Sequence, residues 1–204
     1  MKKSFLLGIL FFSGLWGTSE AILGGYLYKH NALHPSVPLT IIAFIILTLA
    51  KTYLPNKGLA TLIGLLAMLY KFLNTPFFAC HLLAIFFIGL SYDLVFHYSK
   101  IENKAVSAIA ATYLGYMLFA LTITYVFRYQ YWIGEGLPKI IRYVGIAGTF
   151  AALGNSVAVP LSLRIAEFLQ RREINPFRTR SLFATSSLSF VTLAIWLMGI
   201  TRCF

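Results

Sequence analysis

Seven apolar runs joined by short polar links leave this chain little choice but a bundle of helices in a membrane. The runs are Phe5–Tyr28, Val37–Leu54, Gly58–Leu73, Phe77–His97, Ala105–Phe127, a sixth from Lys139 to Leu169, and Leu182–Ile200. A hydrocarbon core about 30 Å thick is crossed by roughly 20 apolar residues at a helical rise of about 1.5 Å each. Most of the runs meet that length; the third is short for a span. Soluble domains carry charge on about a quarter of their residues. Here 59% of the residues are hydrophobic and 11% charged, so an all-α, polytopic helix bundle is expected. The reading is one integral membrane domain over residues 1–204, with a six-run core at 5–169 and an additional C-terminal span at 182–200.

Turn chemistry separates the runs. His34-Pro35-Ser36-Val37-Pro38 marks a loop and a helix start, and Pro55-Asn56-Lys57-Gly58 a turn. Between Arg128 and Tyr143, Gly134, Gly136 and Pro138 argue against a continuous span, while Tyr129, Tyr131 and Trp132 suit the headgroup level. The start, Met1-Lys2-Lys3 followed by an apolar run and Ser19-Glu20-Ala21, also fits a cleavable signal peptide. Because the apolar character continues to Tyr28, an uncleaved first span is the preferred reading.

The formal net charge of +11 sits in the links rather than on one amphipathic face, which points to membrane orientation and not to nucleic acid. On the side of the N-terminus fall Lys2, Lys3, Lys51, Lys57, Lys100, Lys104, Arg164, Arg171, Arg172, Arg178 and Arg180. The other side holds Lys29, Lys71, Arg128, Lys139, Arg142 and Arg202. The cationic side is cytoplasmic by the positive-inside rule, so the N-terminus is expected inside and, after seven spans, the C-terminus outside.

A carboxylate within a lipid-soluble helix is costly unless it faces protein or a water-filled cavity, which makes Glu20 of the first run a functional candidate. It can accept a substrate donor or carry a proton; alternatively it pairs with Lys71 inside the bundle. Glu20, Trp16, His34, Lys71, Asn74, His81, Trp132 and Asn155 are the residues expected to bind substrate. Most of them lie in the outer links or in the outer halves of the spans, where they can converge on one pocket. Each has a structural alternative. Lys71 can snorkel to the headgroups, His34 and His81 can be hydrogen-bonded framework groups, Asn155 can join helices, and Trp132 can belong to an interfacial belt. Asp93, near the inner end of the fourth run, can couple protons or pair with a lysine. Ser13, Gly17 and Ala21 recur at four-residue intervals and make a smooth stripe for close helix packing.

Several chemistries have no carrier. The sequence holds no GxxxxGK[ST] phosphate loop, no HExxH and no GxSxG, and the last run holds no lysine for a retinal Schiff base. Cys80 and Cys203 lack metal-ligand spacing. A binder or transporter is therefore expected rather than an enzyme, without catalytic residues, metal or cofactor.

Gly14-Leu15-Trp16-Gly17 with Glu20 and Gly24-Gly25, a proline-bearing outer link, a Pro-Asn-Lys-Gly turn, and Leu66 to Pro76 leading into His81-Leu82-Leu83-Ala84 resemble the substrate-binding components of energy-coupling-factor transporters. The resemblance covers Phe5 to Leu169. It implies a six-helix subunit of a prokaryotic cell membrane that captures a vitamin or other micronutrient from outside. It also implies a transmembrane coupling subunit and ATPase subunits as partners, with Ser13, Gly17 and Ala21 as the docking stripe and Ser4 and Gly8, nearer the cytoplasm, as an alternative pair. Two features depart from the family: the seventh run is extra, and Met1-Lys2-Lys3 does not reproduce the N-terminal His motif of its metal-binding branch, which disfavours nickel or cobalt. The competing readings are a proton-coupled secondary transporter using Glu20 and Asp93, a membrane enzyme acting on a lipid or prenyl chain, and a scaffold without a pocket.

Overall fold

The structure, a computed structural model, describes residues 2–74, 79–99, 101–171 and 182–201. Among these the chain is all-helical. In order come α1 (Lys2–Lys29), α2 (Ser36–Tyr53), α3 (Leu59–Asn74), α4 (Ala79–Asp93), α5 (Lys104–Leu121), the short α6 (Gln130–Ile133) and α7 (Leu137–Arg142), α8 (Thr149–Arg171) and α9 (Leu182–Thr201). Wider π-helical turns extend α4 through Leu94–Tyr98 and α5 through Thr122–Val126, and join α7 to α8 through Tyr143–Gly148.

Among the described residues, five helical stretches are long and apolar enough to cross a membrane: Phe5–Lys29, Ser36–Tyr53, Cys80–Tyr98, Lys104–Val126 and Leu137–Arg171. The expected count of seven is thus met in five stretches by length, with Leu59–Phe72 and Ser186–Gly199 as shorter apolar helices. The interruption read between Arg128 and Tyr143 is present. Arg128 and Gly136 adopt left-handed φ values of 48° and 57°, so the backbone reverses there instead of continuing as one helix.

The helices meet in a closed circuit, α1 to α3, α3 to α4, α4 to α5, α5 to α8, α8 to α2 and α2 back to α1. The α9 helix lies outside that circuit, across α1 and α3. In a bilayer, lipid tails are as apolar as the side chains, so close packing and interhelical hydrogen bonds must hold such a circuit together. Two positions show how close the packing is. A Cβ on Gly89 of α4 would lie 2.6 Å from the Ala60 carbonyl oxygen of α3, and a Cβ on Gly17 of α1 would lie 2.6 Å from the Tyr70 ring of α3. Trp16, Phe44, Leu47, Ile63 and Ile85 fill the centre.

At one end of the bundle a carboxylate ties three helices. Asp93 of α4 accepts from Lys51 Nζ of α2 at 2.8 Å through Oδ1, and through Oδ2 from the Thr61 backbone N–H and hydroxyl at 2.7 and 2.9 Å. It therefore caps orphan donors in the first turn of α3 from a neighbouring helix. Lys51 also donates to the Asn56 carbonyl at 2.8 Å. Of the two readings open for Asp93, the geometry is that of the lysine pair.

Candidate functional site

The opposite end of the bundle, where α1 reaches Lys29, holds a small cavity of about 40 Å³, room for a few water molecules and well below the roughly 300–1,000 Å³ of small-molecule sites. Its wall comes from four helices. Trp16, Glu20 and Tyr28 come from α1, Ser36, Leu39, Thr40 and Ala43 from α2, Lys71 from α3, and His81, Ala84, Ile85 and Ile88 from α4. Glu20 lies nine residues before the last residue of α1, roughly 13 Å along the axis. The carboxylate therefore sits well inside the bundle rather than at its rim.

Glu20 and Lys71 are 7% and 4% exposed, and Lys71 Nζ donates to Glu20 Oε2 at 3.0 Å. A single charge at such depth would be prohibitive; the pair and its hydrogen bond are what make it tolerable. The position of Lys71 in the last turn of α3 adds the favourable end of the helix dipole. Lys71 is thus a buried partner of Glu20 and not a snorkelling side chain. Glu20 Oε1 has no hydrogen bond among the described residues, and Glu20 lines the cavity.

Trp16 is fully buried, and its indole N–H finds no acceptor among the described residues. The remaining polar groups are aromatic or hydroxylic. His81 stacks on Tyr28 with ring centroids 4.6 Å apart; Tyr28 is 42% exposed, which places this pair of rings at the mouth. Thr40 Oγ1 and the Tyr116 hydroxyl share a hydrogen bond at 3.3 Å. Tyr116 in turn stacks on Tyr143, 5.1 Å between centroids. Both tyrosines line a second small space of about 30 Å³, and Ser36, Thr40, Ala84 and Ile88 border it as well as the first.

Glu20, Trp16, Lys71 and His81 of the expected binding residues are brought together in this wall. The others are not. His34 occupies the α1–α2 turn in a left-handed conformation, φ 53°, and its carbonyl accepts from Val37 at 3.0 Å, a turn-forming role. Trp132 is packed edge-on against Phe119 and Tyr143 in a separate apolar cluster. Asn155 donates from Nδ2 to Thr112 Oγ1 at 2.8 Å and so joins α8 to α5, as in its alternative reading. Asn74 is the last residue of α3, and its side chain lies outside the described residues, as do the basic link at 172–181 and Cys203.

The small-residue stripe is used within the chain. Ser13 and Gly17 are buried, Gly17 against Tyr70, and the adjoining Gly14 faces Trp196 and Ile195 of α9. Trp196 Nε1 donates to the Leu10 carbonyl at 3.0 Å, and the Tyr70 hydroxyl donates to the Ile195 carbonyl at 2.9 Å. A partner docking on this stripe would have to displace Tyr70 of α3 from Gly17 and α9 from the adjoining Gly14; Ala21, nearer the cavity, is half-buried.

Sequence reasoning did not single out Tyr28, Ser36, Thr40 or Tyr116, whereas Tyr143 closes the aromatic segment it offered for stacking on a flat ligand. Ser36 and Thr40 carried a faint signal, two hydroxyls one helical turn apart at the start of an apolar run. The tyrosines carried none, because Tyr at a span end or among apolar residues is ordinary. On the same side, Glu135 pairs with Lys139 at 2.8 Å and with Arg142, and the Lys139 ammonium lies 3.1 Å from the centre of the Tyr131 ring. This aromatic and charged segment braces the α6–α7 turn and is separate from the cavity. Among the described residues no three His, Cys, Asp or Glu side chains group as metal ligands would.

Compared with protein-family models, with curated proteins and with solved structures, the chain finds no match.

Proposed function

We propose that this protein is a membrane-embedded substrate-capture subunit of a micronutrient importer. It binds a small organic molecule at the cavity between α1, α2, α3 and α4, which widens to admit it, and has no catalytic activity of its own. The observation that carries the reading is the cavity itself: a buried, internally neutralised ion pair and several hydroxyls line a space between four helices. Buried polar groups are costly in an apolar bundle unless something engages them. In this reading all seven apolar helices span, the N-terminus is cytoplasmic, and the cavity mouth at Tyr28 and His81 faces outward. Energy comes from partners, a transmembrane coupling subunit and ATPase subunits, since the chain has no phosphate loop. Because Tyr70 of α3 and the adjoining α9 cover the α1 stripe, such a partner engages other helix faces.

The direct test is mass spectrometry of whatever molecule remains bound after extraction and purification in mild detergent. A defined organic molecule at near-stoichiometric amount is expected. If preparations are consistently empty, and co-expression with coupling and ATPase subunits yields no complex, the importer reading fails.

A further inference from the structure

Two buried side-chain atoms are sealed away from any partner among the described residues, Trp16 Nε1 and Asn155 Oδ1. Glu20 Oε1 differs from them. It also accepts no hydrogen bond among the described residues, yet it keeps surface toward the space that Glu20 lines. A carboxylate oxygen at that depth has lost its hydration and gains nothing in return unless a donor reaches it. Only a small donor fits. The space measures about 40 Å³ and the adjoining one about 30 Å³, while one water needs roughly 10–15 Å³ and two to four polar partners. Apolar cavities stay dry, but hydroxyls and a carboxylate line these. Ser36 and Thr40, one turn apart on α2, border both spaces. Tyr116 and Tyr143 border the second, with Tyr116 bonded to Thr40 and both tyrosyl hydroxyls beside that of Ser36. Solvent has a way in at Tyr28, which lines the first space and is 42% exposed.

We propose that both spaces hold ordered water. One molecule donates to Glu20 Oε1, and another sits among the Ser36, Thr40, Tyr116 and Tyr143 hydroxyls. A hydrogen-bonded chain then runs from the α1 carboxylate past α2 to the tyrosines of α5 and of the α7–α8 junction. Lys71 holds one oxygen of Glu20 and water the other. The inference concerns the protein before any larger molecule enters, and so stands apart from the capture reading.

The fold supplies matched controls for X-ray radiolytic footprinting, in which bound water is turned into hydroxyl radical and oxidises the side chain beside it. Tyr116 and Tyr92 are each 2% exposed, and each shares a hydrogen bond with a threonine of α2, Thr40 at 3.3 Å and Thr48 at 3.0 Å. Of the two, Tyr116 alone borders the spaces. Glu20 and Asp93 are 7% and 4% exposed, but both oxygens of Asp93 are filled by protein donors. The full chain in lipid nanodiscs, washed free of organic molecules and checked by mass spectrometry, is irradiated briefly, and oxidation is read residue by residue. Tyr116 is expected to be oxidised several-fold faster than Tyr92, and Glu20 several-fold faster than Asp93 after correction for intrinsic reactivity. Thr40→Val keeps the shape and deletes a hydroxyl common to both spaces, and is expected to bring the Tyr116 rate down toward that of Tyr92. Ser36→Ala serves the same purpose if that variant does not fold. Equal slow rates for Tyr116 and Tyr92 overturn the second water, and equal rates for Glu20 and Asp93 overturn the first. A Tyr116 rate unchanged or faster in the variant overturns the hydroxyl cluster as the holder of that water. None of these results bears on capture, which rests on what the purified protein retains.

Discussion

Removing one member of the Glu20–Lys71 pair is the perturbation whose cost follows most directly from the coordinates. The two side chains are 9% and 5% exposed with 3.0 Å between charged atoms. At an effective dielectric of about 20, opposite charges at that separation attract by roughly 5–6 kcal/mol before desolvation is set against them. Breaking a buried pair from one side typically costs about 3–5 kcal/mol, because the surviving charge keeps its desolvation and loses its partner. The cavity beside the pair admits solvent, so Lys71→Met and Glu20→Gln should fall near the lower figure, about 3 kcal/mol each. The double variant removes both charges and should lose far less than the sum, with a coupling of about 2 kcal/mol. Reversible unfolding in detergent, followed by circular dichroism for all four proteins, measures this cycle. Additivity within about 0.5 kcal/mol would refute the reasoning, since it would mean that the two groups do not depend on one another.

Three further outcomes follow from other contacts. Gly17→Ala places a methyl group within the Tyr70 ring, and since that ring is held by Ile195 and Trp196 it cannot simply swing away; a loss of about 1–3 kcal/mol is expected in the same unfolding assay. Asp93→Asn removes the counterion of Lys51 and weakens the cap on α3, and should destabilise by about 3 kcal/mol. Asp93 lies at the end of the bundle away from the cavity, so the affinity of retained ligand in the folded fraction should stay unchanged. The Glu135 carboxyl is held below its ordinary value of 4.5, first by its hydrogen bond from Lys139 and then by the Lys139 and Arg142 charges. A depressed folded value means that its contribution is fully present above pH 4.5 and is lost as pH falls through the depressed value. Trp132 fluorescence should therefore be flat from pH 7 to 5 and change only under more acid conditions, and Glu135→Gln should abolish that change.

Much of the helical plan could be read from hydropathy, because an apolar run bounded by Pro, Gly and Lys reports its own ends. The helix bounds at Ser36 and Leu59 follow the Pro35 and Gly58 signals closely. Four wall residues were also visible, for a reason peculiar to membranes: Glu20, Lys71 and His81 are expensive in lipid, so their presence in apolar runs is itself informative, and Trp16 lies one turn from Glu20. His34, Trp132 and Asn155 misled because type and position do not reveal partners. A turn backbone, an aromatic cluster and Thr112 already claim them. The neighbour relations of the circuit, α1 beside α3 and α2 beside α8, had no local signature, since they depend on which faces fit. For the same reason the sequence could offer Ser13 and Gly17 as a packing stripe but not say that Tyr70 and α9 fill it.

Ion pairs hold α3 at both ends, and one of them lines the cavity. The α3 helix has 16 residues against 28 in α1, about 24 Å against 42 Å at the helical rise, so α3 stops short of the height its neighbour reaches. A helix too short for the bilayer must have its polar ends managed by protein, and both ends are. Asp93 of α4 receives the first turn, and Glu20 of α1 receives Lys71 in the last. With α3 pinned at both ends, Lys71 is held in the cavity wall beside Tyr28, Ser36, Thr40 and His81. The two ion pairs thus differ in consequence. The Asp93 tie fixes where α3 begins, whereas the Glu20 tie sets the depth of the cavity floor. Lengthening α3 by one turn after Lys71 should therefore shrink the cavity without disturbing Asp93, Thr61 or Lys51. The expected result is loss of ligand retention in a protein that still unfolds cooperatively. Retention that survives the insertion would mean that the ligand sits elsewhere.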